Sequence, residues 1–496
     1  MIKRRVKDDE SGIGFDRKEL ERLAAAGAMI TIPASLLLQL IVTIERHEQE
    51  IAELKRNSRT SSKPPSSDRN NPNKPTPKKR NTKGKKKRKQ GGQKGHPGAT
   101  LRKVDNPDHI ITHPIEGKCP HCQAAHKHIK VRGEESRQVF DLPPELRLEV
   151  TEHRCEVGVC QRCAKKIKAS YPEEVKAPVQ YGERMQALVL YLQSYQLLPC
   201  ERLSELIGDL WNCPISTGTI SKMLEHGGTR AGPLTDKIKE AVRASDFLHS
   251  DETGLSVNGK LHWLHTASTP TLTWLHIDPY RGEKALRAMG VLEDYSGTVI
   301  HDFLSAYYRI EGLRHGLCNS HHLRDLECVE VEQKQSWPKA MTDLLLDAKK
   351  RVDRERGGGR VVGQKTIDRL QERYFEILGE GYQENPEPIR KPGQRGRLKR
   401  GKGLNLLNRF LERSDEVMAF LLTGVPFDNN EAERDLRMMK VKQKISGCFR
   451  SLSQSQAFAK VRSVIATAKK RKIKVLEMLQ ITLKDTPAAI KLLLPS

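Results

Sequence analysis

Residues 57–103 carry eleven Lys and five Arg against a single acid, Asp68, and almost no apolar side chain. Pro, Ser, Asn and Gly fill most of the remainder. Such a segment cannot bury enough surface to offset the entropy of ordering it, so it is expected to stay disordered on its own. Whatever folds must therefore lie before residue 57 or after residue 103. The segment also supplies +15 of the formal net charge of +25, from under a tenth of the 496 residues. A solvated linker would account for a milder run. A density this high points to phosphate binding by counterion release, with Lys85, Lys86, Lys87 and Arg88 at its centre.

The whole chain carries the same charge bias. It has 87 Lys and Arg against 62 Asp and Glu, and a pI of about 9.6. An acidic small molecule does not require that excess; a polyanion does, with nucleic acid ahead of an anionic membrane. No run of 18 apolar residues exists, and the nearest, Ala28 to Val42, is interrupted by Thr31, Pro33, Ser35 and Gln39, so no membrane span is expected. No apolar stretch followed by a small-residue cleavage site marks a secretory signal. The ten cysteines then read as thiols or metal ligands rather than disulfides.

Before the basic arm, Leu37, Leu40, Ile44, His47, Ile51 and Leu54 alternate spacings of three and four, which predicts a helix over 32–56. It is either a short dimerising coiled coil or an amphipathic helix packed on its own chain. After the arm come Cys119-Pro-His-Cys122 and Cys160-Gln-Arg-Cys163, with 37 residues between them. Two such turns can close a tetrahedral four-thiolate zinc site, although the gap exceeds the usual ~15–20 residues. A closed site leaves no open position, so its expected role is folding and DNA docking. Cys155, His121 and His126 lie nearby. Residues 184–197, 200–210 and 217–226 read as three short helices. The turn into the last has the layout of a helix-turn-helix, with Thr217, Thr219 and Lys222 facing DNA; a plain helical bundle is the other reading.

Phe247-Leu-His-Ser-Asp251 reads as a strand ending in a carboxylate. Asn258-Gly259 signals a hairpin, residues 261–266 and 272–277 read as the next strands, 282–293 as a helix, and Gly297-Thr-Val-Ile-His-Asp302 as a fourth strand ending in Asp. A three-strand meander, a helix and a further strand open the ribonuclease-H-like topology, in which strands one and four are neighbours. Asp251 and Asp302 would then face each other. Neighbouring carboxylates suit two Mg²⁺ ions and in-line phosphoryl displacement. A third acid is expected from the helix around 428–436, where a buried stripe of Ala432, Leu436 and Met439 leaves Glu433 beside it. Strand-end turns, or a pair between Glu433 and Arg437, would explain the same acids without catalysis.

These segments together resemble the insertion sequence 66 family of transposases. Ser61-Ser-Lys-Pro-Pro-Ser-Ser-Asp68 and Gly91-Gly-Gln-Lys-Gly-His-Pro-Gly98 resemble its linker signature, and the two CxxC turns its zinc module. Ser250-Asp-Glu-Thr-Gly254, Ile300-His-Asp302 with Ala306-Tyr307, and Asp428-Asn-Asn-Glu-Ala-Glu-Arg434 resemble the segments that carry its three catalytic acids; Gly447-Cys-Phe-Arg-Ser451 resembles the region after them. Cys318-Asn-Ser-His321 resembles a Cys-x-x-His feature of several DDE families. Cys155 is extra, and Lys94 stands where Pro is common in the family.

The resemblance implies a multidomain bacterial DDE transposase. Asp251, Asp302 and Glu433 would hold two catalytic Mg²⁺, and Cys119, Cys122, Cys160 and Cys163 one structural zinc. The expected layout is an N-terminal helix (1–56), a basic linker (57–103), a zinc module (104–175) and a helix-turn-helix-like region (176–240). A ribonuclease-H-like catalytic domain (241–450), with a helical insertion at about 320–425, and a C-terminal helical region (451–496) complete it. The expected partners are double-stranded DNA at the element ends and target, further copies of the chain, and the family's small companion proteins. The expected location is the cytoplasm, at the nucleoid. Within the insertion, Arg390 to Lys402 holds seven basic residues and no acid, so Arg395, Arg397, Lys399 and Arg400 are expected either to clamp DNA or to form a solvated tip. A non-catalytic zinc-dependent DNA-binding protein and a metal-dependent nuclease of the same fold are the alternatives.

Overall fold

The computed structural model describes Arg22 and residues 24–27, 33–55 and 103–495, apart from 116–118, 124, 126–131, 133, 144–145, 164, 391–397 and 399. Lys85, Lys86, Lys87, Arg88, His126, Arg395, Arg397 and Lys399 lie outside the described residues.

Helix α1 spans Ala34–Lys55, with Leu37, Leu38, Ile41, Val42 and Ile44 exposed. Among the described residues between 103 and 180, the regular structure is one small antiparallel hairpin, β1 (Val157–Val159) and β2 (Lys166–Lys168). No described residue there is buried, and Ile110, Ile111, Val139 and Val150 are 77–91% exposed. Next come α2 (Glu183–Leu190), which runs on into a π-turn at Tyr191–Tyr195, α3 (Cys200–Trp211) and α4 (Thr217–Arg243). The sheet region holds β3 (Phe247–Val257), β4 (Lys260–Ser268), β5 (Thr273–Asp278), α5 (Glu283–Ala288), β6 (Thr298–His301) and β7 (Arg314–Leu317). Among the described residues six helices follow: α6 (Asn319–Gln333), α7 (Trp337–Gly357), α8 (Gln364–Glu384), α9 (Lys402–Glu412), α10 (Ser414–Val417) and α11 (Ala419–Leu422). The chain closes with α12 (Asn430–Ser446), α13 (Leu452–Lys470), α14 (Val475–Lys484) and α15 (Thr486–Leu493). The architecture is mixed α/β, with a five-stranded sheet in the order β5-β4-β3-β6-β7. No described helix is long and apolar enough to cross a membrane.

The chain divides into two compact units. One is built on Thr298–Leu304 and Arg314–Asn429. Its core gathers Trp337, Tyr374, Phe410 and Phe420, with the Tyr374 hydroxyl donating to the Phe410 carbonyl at 2.8 Å. The other takes in the described residues from 103 to Gly297 together with Ser305–Leu313 and the described part of Asn430–Ser496. In it, α12 packs on β3 and β4, and α13 on β5 and α4. Leu255, Leu264, Leu275 and Ile277 of the sheet share a core with Leu436, Met439 and Phe458 of those helices.

Four local expectations change. Asp251 lies inside β3, not at its end, because the Asn258-Gly259 hairpin pairs the strand with β4 as far as Val257↔Lys260. The helix expected over 282–293 is shorter, Glu283–Ala288. Strand β7 falls where only helices were expected; Arg-His-Gly-Leu carries no alternation and is specified by parallel pairing with β6. Helix α4 runs to Arg243 and not to 226, through Gly227, Gly228, Gly232 and Pro233. Gly227 and Gly228 are sites of close approach and not stops. A Cβ on Gly227 would lie 2.6 Å from Leu190 Cδ1, and one on Gly228 2.5 Å from Ala457 Cβ and 2.6 Å from its Cα.

The close approach at Gly228 yields a stability contrast. Gly228→Ala should destabilise the protein by about 1–3 kcal/mol through overpacking against backbone. Gly232→Ala, whose new methyl would meet nothing nearer than Lys460 Nζ at 3.9 Å, should be neutral or stabilising. Thermal midpoints of the two variants check this.

Candidate active site

The hairpin sets the geometry of the first acid. Strand pairing puts Asp251 opposite Thr266, and Glu252 opposite His265. Alternation then sends the two neighbours to opposite faces. Asp251 shares its face with Leu255, whose core includes Leu436 and Met439 of α12. Its Oδ1 accepts the backbone N–H of Glu252 at 2.8 Å. On the other face, Glu252 is buried and bound by the Arg281 guanidinium at 2.8 Å, while the Tyr307 hydroxyl donates to Ser250 Oγ at 2.9 Å. Arg281 also lies over the Trp263 ring, 4.8 Å from its centroid.

Glu433 lies in the first turn of α12, beside the buried stripe of Ala432, Leu436 and Met439. Helix α12 packs directly on β3, so two of the three candidate acids sit on elements in contact. Glu431 is held by Lys470 at 3.1 Å and by Arg434. Burial opposes its charge, but these two cations outweigh burial and keep its pKa below the ordinary carboxylate value.

Asp302 is the first residue after β6. The Leu304 N–H donates to its Oδ1 at 3.3 Å, and Phe303 between them has φ +77°. Left-handed backbone is uncommon at a bulky residue. The Phe303 N–H donates to His301 Nδ1 at 3.2 Å, which leaves the His301 proton on Nε2, 3.0 Å from His315 Nδ1. Both rings are held neutral. Burial, then His315 and Arg413, push His301 well below its usual pKa; burial, then Arg413, bring His315 to about 4. Parallel pairing places Leu317 beside His301, and the Cys318 N–H donates to the His301 carbonyl at 3.0 Å.

Cys318 precedes α6, and its Sγ accepts the Asn429 N–H at 3.1 Å, immediately before α12 begins. Cys318, His321 and Glu433 are, among the described residues, a group that could hold a metal ion. A thiolate and an imidazole are softer donors than Mg²⁺ prefers; the carboxylate suits it.

In the cysteine-rich segment each turn is formed. The Gln123 N–H donates to the Cys119 carbonyl at 2.8 Å, and the Cys160 N–H to the Lys165 carbonyl at 2.9 Å. Backbone N–H groups of Cys122 and His121 lower the Cys119 pKa, and those of Cys163 and Arg162 lower that of Cys160. Thiolates poised in this way fit zinc. Among the described residues, the four sulfurs are not drawn into one cluster of ligand spacing. In the helical region, Ser216 caps α4, accepting the Thr219 N–H at 3.1 Å, with Thr219 Oγ1 2.9 Å from the same hydroxyl. Thr217 and Thr219 are half-buried, while Gly218 between them and Lys222 one turn on are exposed. Arg400 pairs with Glu387 at 2.9 Å.

Residues 178–457 match the family described as Transposase IS66 family, and residues 17–102 match a family of unknown function, DUF6444. No curated protein matches the chain at a significant level. The first match covers more than half of the chain and takes in β3, β6 and α12 with Asp251, Asp302 and Glu433; the chain belongs to the IS66 transposase family, and so to the DNA-processing enzymes.

Proposed function

We propose that the chain binds the terminal inverted repeats of its own insertion sequence, cuts at the element ends and joins them to target DNA. The packing of α12 against the Asp251 face of β3 is the observation that best supports this reading. Asp251, Asp302 and Glu433 would together offer hard oxygen donors to divalent cations. Two cations there would supply the charge that activates the attacking oxygen and stabilises the leaving one. Water attacks phosphorus at the element end, the P–O3′ bond breaks, and a 3′-hydroxyl is released. That hydroxyl then attacks a target phosphate and displaces the target's own 3′ oxygen. No side chain forms a bond to DNA. The strand order, with an antiparallel meander beside a parallel pair, agrees with a ribonuclease-H-like scaffold.

The remaining modules would serve binding. Zinc on Cys119, Cys122, Cys160 and Cys163 would staple a segment without a buried core of its own. The start of α4 would read DNA, the basic arm and the 386–403 loop would hold phosphates, and the exposed stripe of α1 would pair copies of the chain. Companion proteins of the element are candidate partners, and a bacterial nucleoid is the setting such a substrate implies.

Three outcomes test the reading. Asp251→Asn and Glu433→Gln should each abolish cleavage of an end-containing oligonucleotide in Mg²⁺ while leaving gel-shift binding intact; joined products from the parent mark a transposase, nicks alone a nuclease, and shifts without cleavage a binder. Freshly purified protein should contain about one zinc per chain, and in the metal-free protein Cys119 and Cys160 should alkylate faster at pH 7 than Cys122 and Cys163; absence of zinc by metal analysis would remove the module's proposed role. Deleting residues 57–103 should weaken binding to every sequence and flatten the slope of log affinity against log salt by about 0.9 for each phosphate the arm neutralises; a changed base preference with an unchanged slope would contradict the phosphate role.

A further inference from the structure

Asp435 lies on α12 two residues past Glu433, so it leaves the helix about 200° around the axis from it. Its Oδ2 accepts three donors: Ser268 Oγ at 2.6 Å, Thr273 Oγ1 at 2.8 Å and Lys470 Nζ at 2.9 Å. The donors come from the last residue of β4, the first of β5 and the last of α13. Ser268 and Thr273 are fully buried, and the side chains of Asp435 and Lys470 are 12% and 11% exposed. Lys470 also donates to the carbonyls of Thr269 at 2.9 Å and Leu272 at 3.1 Å in the β4–β5 turn, and pairs with Glu431 one turn earlier on α12. One carboxylate and one ammonium thus tie α12, the β4–β5 turn and α13 together.

Apolar contact does not by itself fix the rotation of a helix on a sheet, because it is non-directional. The stripe of Ala432, Leu436 and Met439 holds α12 down, whereas charge-assisted hydrogen bonds have defined geometry and set its phase. We propose that Asp435, acting through Lys470, Ser268 and Thr273, is a positioning residue for strand cleavage: it fixes the rotation of α12 and hence the point at which the Glu433 carboxylate is presented. The inference rests on the reading of Glu433 as a metal-holding acid.

A buried charge left without its partner is strongly destabilising, whereas removing both partners together is often tolerated. The informative variant is therefore the double change Asp435→Asn with Lys470→Met, compared with the parent and with Glu433→Gln. Thermal midpoint, gel-shift binding to an end-containing oligonucleotide, and cleavage rate across a Mg²⁺ titration are measured for each. In the double variant Glu431 keeps Arg434 but loses Lys470, so the midpoint should fall modestly while the protein stays folded. DNA binding should persist, cleavage should slow roughly 10- to 100-fold, as small misplacements do, and more Mg²⁺ should be needed for half-maximal rate. Parental rate and Mg²⁺ dependence in the folded variant would show that the pair only stabilises the fold. Should the double variant be too unstable to assay, Ser268→Ala removes one donor and leaves the ion pair intact; it should shift the Mg²⁺ requirement in the same direction, and an unchanged requirement overturns the inference. If Glu433→Gln cleaves like the parent, the catalytic reading itself fails; if Glu433→Gln is inactive and the Asp435 variants are normal, only the positioning role fails.

Discussion

The register of one hairpin decides which acid of β3 faces helix α12. Asn258 and Gly259 take φ of +48° and +74°, the left-handed pair that a two-residue turn between twisted strands requires. From that turn the pairing runs unbroken to His249↔Ser268. A slip of one residue would exchange the two faces of β3. It would send Asp251 into the pocket of Arg281 and Tyr307, and bring Glu252 to the side where α12 packs. In the native register Glu252 is a buried, paired acid whose work is internal, while Asp251 stands on the face of the helix that carries Glu433.

Much of this is legible in the residues. Asn-Gly between alternating strands marks the hairpin, and Ala432, Leu436 and Met439 mark the buried side of α12 by their spacing alone. The expectations that moved did so for tertiary reasons. Ser-Asp-Glu-Thr-Gly looks like a turn, yet pairing with β4 carries the strand through it. Glycines in α4 look like stops, yet they admit Leu190 and Ala457. Strand β7 is four residues with no periodicity of their own. The bonds of Asp435 reach Ser268, Thr273 and Lys470, at separations of 35 to 167 residues, and no local pattern announces partners that far away.

The two ends of the chain differ in what holds them. From residue 183 onward, packed helices and the sheet supply cores built around Phe410 and Trp337 in one unit and Phe458 and Leu255 in the other. The described part of residues 103–180 has no such core, and its apolar side chains are largely in water. A segment like that folds by metal ligation or against a partner, and a polyanion is the partner its charged flank favours. The division suits the proposed function, in which electrostatic contacts would hold DNA while a rigid scaffold would position three carboxylates closely.

In the proposed mechanism Asp251, Asp302 and Glu433 share one cation site. Replacing Mg²⁺ with Fe²⁺ and adding ascorbate and peroxide generates hydroxyl radicals at the bound metal, which cut the nearby backbone. A shared site predicts cuts clustered at the β3 segment around 251, the loop at 302 and the first turn of α12, all abolished together in Asp251→Asn. Cuts confined to the Cys318–His321 turn, or cuts at the three segments that survive that substitution, would contradict it.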